Sequence, residues 1–355
     1  MKPDNIDINR PAAYLEGKTL DSGWKIEEKI TNESSELGKN FSISYVAIKN
    51  NEKAILKALD FSIAMKAEDP TQEIIELSEA YEFEKALHEL CKSQKLDKVV
   101  NILESGKISP FEGSIIPAPY FILEFADTNV KNVTNLNSRL NLAWLLRILH
   151  NTTVGLWQLH KKKIAHTHLS ASSVLEFDKN LYKITDLGRS DIRGADNPYI
   201  KKFGPSNDPA HLTPEFLYDF QEKDWIFRSQ AKDAYLLGNL VFFLFTQTDF
   251  TAWLQFYLDE NHKWYNWDGT YEDVLPYLIV AYDTAIFHFE AYIEDDHIKE
   301  ELVNILRYLC HPNPKRRGHP KNISSHGSSL SVERFFTKFE RLAKLAEQKA
   351  LNGNS

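Results

Sequence analysis

Apolar and polar positions alternate with period two over residues 24–30 and 41–48, and 54–59 is a short apolar run, so three strands are expected early in the chain. Over 73–90 the period changes. Apolar side chains recur every three to four positions, which winds them onto one face of a helix. Strand character returns at 99–103 and 120–126, completing a small sheet of about five strands with one helix after the third. Beyond Thr134 the pattern is mostly helical, at 142–160, 234–246, 300–310 and 332–348. Two short β-rich pieces, 174–177 and 182–185, straddle an Asp-Lys-Asn turn. Strands first and helices afterwards make an α+β chain with two lobes. The polar, aperiodic residues 1–22 are expected to form an arm, 23–126 the first lobe, 127–345 the second and 346–355 a tail.

Composition narrows the class. The 355 residues are 43% hydrophobic and 26% charged, as in an ordinary globular protein. A net charge of -8 argues against a nucleic-acid partner, because phosphate backbones demand clustered Lys and Arg. The short basic runs 161–163 and 315–317 are expected to be solvated turns or ion-pair partners. Only two cysteines occur, Cys91 and Cys310, which favours a reducing, cytoplasmic setting over a disulfide framework. The start of the chain has no basic segment followed by an apolar block, so no signal peptide is expected. The most apolar run, 234–246, is 13 residues long; a bilayer span needs about 18 or more, so a soluble protein with no membrane partner is expected.

The candidate chemistry lies in an ordered series of motifs. His166-Thr167-His168-Leu169-Ser170-Ala171-Ser172-Ser173 is followed by Asp186-Leu187-Gly188, Thr213-Pro214-Glu215, a helix with Asp233 and Gly238, and a late element ending at Arg317. Together with the strand around Leu123 and Glu124, this order resembles the eukaryotic-type protein kinases over roughly 23–317. The matching family elements are H-R-D-L-K-P-x-N, D-F-G, A-P-E, the buried helix whose Asp holds the catalytic-loop backbone, and D-P-x-x-R-P. The resemblance implies a kinase-like fold, a small β-rich lobe with one helix and a larger helical lobe, and makes Arg317 the partner of Glu215.

Phosphoryl transfer is mostly positioning plus charge neutralisation, and each part of that machinery has a counterpart here. The resemblance places Lys57 on the nucleotide phosphates with Glu84 as its ion-pair partner, Glu82 and Glu79 being alternatives. It places Ile55, Leu123 (the gatekeeper), Glu124, Ala126 and Leu175 around the adenine. It makes Asp186 the ligand of a magnesium ion, while the alternative role of Asp186 is to cap its own turn. Ile55 replaces a small Ala and sits on the same strand face as Lys57, which narrows the adenine slot. The family's glycine-rich loop corresponds to 31–45, where only Gly38 remains, with Glu33 and Glu36 nearby to repel a triphosphate.

The catalytic loop itself has changed. His168 occupies the position of the base, Ser170 that of the loop lysine and Ser173 that of the second metal-binding side chain. Ser173 offers only a neutral hydroxyl. Thr167 replaces the Arg that reads a phosphorylated segment, so 186–215 is expected to hold its shape without one. Asp208 aligns with the family Thr that contacts the loop, which suggests a His168–Asp208 pair; capping the turn before Pro209 is its other reading. His160, His166 and His168 are close in sequence but lack a zinc-ligand spacing. The expectation is a pseudokinase that regulates or scaffolds another protein, with ATP and magnesium binding weak or absent. The alternative is an atypical ATP-dependent phosphotransferase using His168. The aromatic segment 216–228 is a candidate contact surface for the partner, with ordinary packing as the other reading.

Overall fold

The computed structural model describes residues 10–30, 41–62, 64–111, 117–136, 141–177, 181–206 and 211–353. In chain order the elements are β1 (Lys25–Lys29), β2 (Ser42–Lys49), β3 (Glu52–Leu59), α1 (Pro70–Ser93), β4 (Ile102–Ile108), β5 (Ala118–Glu124) and β6 (Thr128–Asn129). There follow α2 (Val130–Leu136), α3 (Leu142–Lys161), β7 (Ile164–Ala165), β8 (Val174–Phe177), β9 (Leu181–Ile184), β10 (Asp191–Ile192) and α4 (Pro198–Phe203). The chain closes with α5 (Pro214–Leu217), α6 (Ala231–Thr246), α7 (Phe250–Tyr257), α8 (Tyr271–Phe289), α9 (Asp296–Leu309), α10 (Asn322–His326) and α11 (Glu333–Gly353).

Two compact units result. The first contains residues up to 127 together with 185–188 and 196–204; the second contains 128–184, 189–195 and 205 onward. Two short segments from the helical part of the sequence therefore fold with the strand-rich unit.

The first unit is an antiparallel sheet in the order β1-β2-β3-β5-β4. Asn50 and Asn51, both at positive φ (50° and 66°), make the tight turn that joins β2 to β3. Asn tolerates that conformation, and the turn's twist matches the strands it joins. The turn sets the register, so Val46 faces Ile55 and Ser44 faces Lys57. One sheet face, with Tyr45, Ala54, Leu56 and Ala58, closes on Trp24 and Ile122 as a core. The described part of the arm, residues 10–22, is part of this core rather than a free extension. Ala12, Leu15 and Leu20 are buried there, Tyr45 donates its hydroxyl to the Ala12 carbonyl at 2.6 Å, and residues 17–20 bond back to 24–26. Three scattered apolar side chains leave no periodic trace, which is why residues 10–22 read as an arm.

α1 begins where Asp69 accepts hydrogen bonds from the Thr71 and Gln72 amides, with Pro70 at its first position. Its buried stripe runs Leu77, Ala80, Tyr81, Glu84, Leu87, His88 and Cys91. A carboxylate inside that stripe requires a partner.

The second unit is built around α6, whose residues are buried nearly all round. α11 packs along α3 through the Arg147–Glu347 ion pair at 2.8 Å and Phe336 against Trp157. Because α11 runs to Gly353 with Ala346 buried, no structural break separates a tail at 346. Among the described residues no helix is long and apolar enough to cross a membrane.

The aromatic segment 216–228 is used mainly in packing. Leu217, Tyr218 and Trp225 are buried, Phe220 stacks on Tyr271 at 4.8 Å, and the Tyr218 hydroxyl donates to the His262 carbonyl. Burial of those rings stabilises the unit, while Asp219, Gln221, Lys223 and Asp224 stay exposed.

Candidate functional site

In the first unit, β3 alternates. Ala54, Leu56 and Ala58 point into the core, and Ile55 and Lys57 point to the other face. Lys57 Nζ lies 2.8 Å from both carboxylate oxygens of Glu84, which stands on the buried stripe of α1. Glu82 instead pairs with Lys85 and Glu79 is exposed, so the three-way choice resolves to Glu84. Burial alone would lower the Lys57 pKa; Glu84 and Asp186 outweigh it and hold the ammonium above its ordinary value.

Asp186 belongs to this cluster. It sits at positive φ (64°), which Asp tolerates better than most residues. Burial, opposed by Lys57 and reinforced by Glu84, raises its pKa from 3.8 to about 6. Its turn presses on the same pair: a Cβ added to Gly188 would lie 3.3 Å from Glu84 Oε2. Asn197 donates to the Gly188 carbonyl at 3.0 Å and caps α4.

α4 then ties back to α1. Lys202 reaches Glu73 at 2.7 Å and Glu76 at 2.8 Å, while Phe203 stacks on Phe41 at 5.5 Å beside the buried Tyr199. The Lys202 ion pairs thus tie α4 to α1, the helix that carries Glu84, while the ring contacts tie α4 to the start of β2. These α4 residues were not singled out in the sequence, because six residues of helix give too short a period to register.

Of the remaining adenine-side candidates in this unit, Leu123 is buried and stands opposite Ile55 across the β3–β5 pair. The Glu124 carboxylate accepts from the Asn101 amide at 2.7 Å, and Ala126 is half-buried just beyond β5. The glycine-poor loop with Glu33, Glu36 and Gly38 lies outside the described residues.

The second unit holds the loop after α3. Asp233, at the start of α6 and fully buried, accepts from the His166 amide at 2.8 Å, the Thr167 amide at 2.6 Å and His160 Nε2 at 2.7 Å. These bonds hold Thr167 at φ 57°, a costly conformation for a β-branched residue. The Thr167 hydroxyl donates to the Arg189 carbonyl at 2.6 Å.

His168 follows, nearly buried, its ring 5.0 Å from that of His211. Burial first, then the neighbouring His211, Arg189, Lys232 and His166, drive its pKa well below the ordinary histidine value. Near pH 7 the imidazole is therefore neutral and a weak base. Asp208, the suggested partner, lies outside the described residues. His211 belongs to no motif of its own; its position two residues before Thr213-Pro214-Glu215 is the signal the sequence carries for it.

Ser170 and Ser173 serve the loop's own geometry. The Ser173 hydroxyl accepts from the Ser170 amide at 2.9 Å and donates to the Ser170 carbonyl at 3.0 Å, while Ser170 Oγ pairs with Ser172 Oγ. Leu175 is half-buried in β8, opposite Lys183 and Asn129. Deeper in the unit, Arg317 makes two parallel bonds to Glu215 at 2.7 and 2.6 Å.

Residues 48–325, most of the chain, match the family described as protein tyrosine and serine/threonine kinase. The chain belongs to the protein kinases. It has that family's architecture, a β-sheet N-lobe and a helical C-lobe. A stretch of 102 residues is 26% identical to cyclin-dependent kinase 9 of Danio rerio and covers 26% of this chain and 26% of that protein.

The family binds ATP and magnesium, and the residues present fit those ligands unequally. Lys57, charged and oriented by Glu84, suits a phosphate oxygen. Asp186 is a carboxylate whose ionisation a cation would favour. The hydroxyl of Ser173 is already committed to Ser170. Among the described residues no three His, Cys, Asp or Glu side chains converge as a metal cluster.

Proposed function

We propose that this protein is a catalytically impaired member of the kinase family, a pseudokinase that regulates or scaffolds another protein, with weak or no binding of ATP and magnesium. The observation that carries this reading is the state of His168. Where a kinase holds an ionised carboxylate, this chain holds a neutral imidazole packed against His211 and facing Arg189 and Lys232. A general base contributes about 10²–10⁴-fold, and the chain also lacks the loop lysine that would offset transition-state charge. Ser170 and Ser173 support the same conclusion, because the Ser170 hydroxyl is engaged by Ser172, the Ser173 hydroxyl spends its proton on the Ser170 carbonyl, and neither carries the charge of the lysine or the amide oxygen it replaces. The Lys57–Glu84 pair and the ties between α1 and α4 are then retained for shape.

A second reading, an atypical kinase using His168, has one observation in its favour: Lys57, Glu84 and Asp186 remain assembled. Thermal-shift titration with ATP and magnesium, followed by transfer of labelled phosphate to a generic protein substrate, separates the two. A pseudokinase gives little or no shift and no transfer above background. Transfer that His168→Ala abolishes, while the variant's melting profile stays unchanged, would replace the first reading with the second.

A further inference from the structure

We propose that the outer face of α7 and α8 is a docking surface for a basic amphipathic helix of another protein. The inner side of α8 is buried through Val274, Leu278, Ala281, Ala285 and Phe289. Its outer side also carries apolar groups: Tyr277 is 46% exposed, Val280 66% and Phe287 66%. Spacings of three and seven residues place these side chains on one face, over roughly 15 Å of helix.

The stripe continues onto α7. Rings contact one another in series from Phe256 (76% exposed) through Tyr257 and His288 to Phe287, at 5.1, 5.3 and 5.4 Å. Isolated exposed apolar residues are common on proteins. Several on one helix face, beside a ring series that reaches the neighbouring helix and with Tyr277 held by stacking on His262 at 3.7 Å, mark a contact surface, and large aromatics dominate binding energy where they are buried by a partner.

Charge selects the occupant. Residues 249–300 contain twelve Asp and Glu but only two Lys and no Arg, whereas the rest of the chain is close to neutral. Both lysines are already paired, Lys263 with Glu260 at 2.7 Å and Lys299 with Asp296 at 2.9 Å, and two cations from later helices pair acids of the segment, Arg307 with Asp283 at 3.0 Å and Lys349 with Asp295. Acids still outnumber these cations, so the field around the stripe is negative. It repels a second copy of this chain, nucleic acid and anionic lipid, and it attracts Lys and Arg. Apolar anchors along a helix with an acidic surround fit a helix that presents apolar residues at positions i, i+3 and i+7, flanked by basic ones. The inference is independent of whether His168 or nucleotide is active.

The test uses the full chain and three labelled 18-residue peptides: a Leu/Lys amphipathic helix, a scramble of the same composition without an apolar face, and a Leu/Glu helix. Fluorescence anisotropy gives Kd, and hydrogen exchange locates the protected segment. The amphipathic basic peptide is expected to bind at least tenfold more tightly than either control and to protect α7 and α8. Phe256→Ser/Phe287→Ser, with unchanged circular dichroism and melting, is expected to lose at least tenfold; Val280→Glu provides a single-site check. Equal binding of the scramble, indifference to the substitutions, or a dimer in sedimentation that the double variant dissolves would overturn the proposal.

Discussion

Asp186→Asn is expected to make the protein more stable, increasingly so as pH rises. In the folded chain burial raises the Asp186 pKa from 3.8 to about 6, despite the attraction of Lys57. A carboxyl group with a raised folded pKa is favourable to folding while protonated in both states, below the unfolded value. That advantage is lost as pH climbs through the folded value, because the unfolded chain ionises first. Linkage between 3.8 and about 6 gives a cost of about 1 kcal/mol at pH 4.5 and about 3 kcal/mol at pH 7.5. Solvent reaching the half-buried side chain trims both figures. The stability gain of Asp186→Asn over wild type should therefore grow by about 1–2 kcal/mol between those two pH values. Urea denaturation of both proteins in metal-free buffer measures it, and subtraction cancels every other titrating group. A variant less stable than wild type at pH 7.5 by a margin that widens with pH would refute the reasoning. Lys57 would then outweigh burial, and the carboxylate would be a stabilising part of the unliganded fold.

Other expectations concern the second unit. Arg317→Ala leaves the buried Glu215 carboxylate without its two parallel bonds and frees the carbonyls of His311 and Pro312, so denaturant unfolding should show a loss of about 3–5 kcal/mol. Arg317→Lys should recover only part of it, because one ammonium cannot reproduce the fork. A Cβ at Gly238 would overlap Cys310 Sγ and lie 2.9 Å from Leu309 Cβ, so Gly238→Ala should cost about 1–3 kcal/mol despite the better helix propensity of Ala. Adding Cys310→Ala should restore part of that loss, as read from the same unfolding midpoint.

Much of the framework was legible in the residues. The alternation of 41–48, the helix of 73–90 and the apolar run of 234–246 each carry their signal within about ten neighbours, and each element formed near its expected place. The ordered motifs carried the family. The choice of Glu84 over Glu82 and Glu79 was also within reach: Leu77, Tyr81, Glu84 and His88 share one helical phase, which places Glu84 on the buried stripe. Tertiary structure alone brought His211 beside His168 across 43 positions, drew 196–204 onto α1 and folded Ala12, Leu15 and Leu20 into the sheet core. It also turned the rings of 217–225 inward while leaving Phe256 and Phe287 outside. A hydrophobic pattern records how much apolar surface an element carries. Which part of that surface is covered, and which single polar groups meet, depends on long-range packing that no local period encodes.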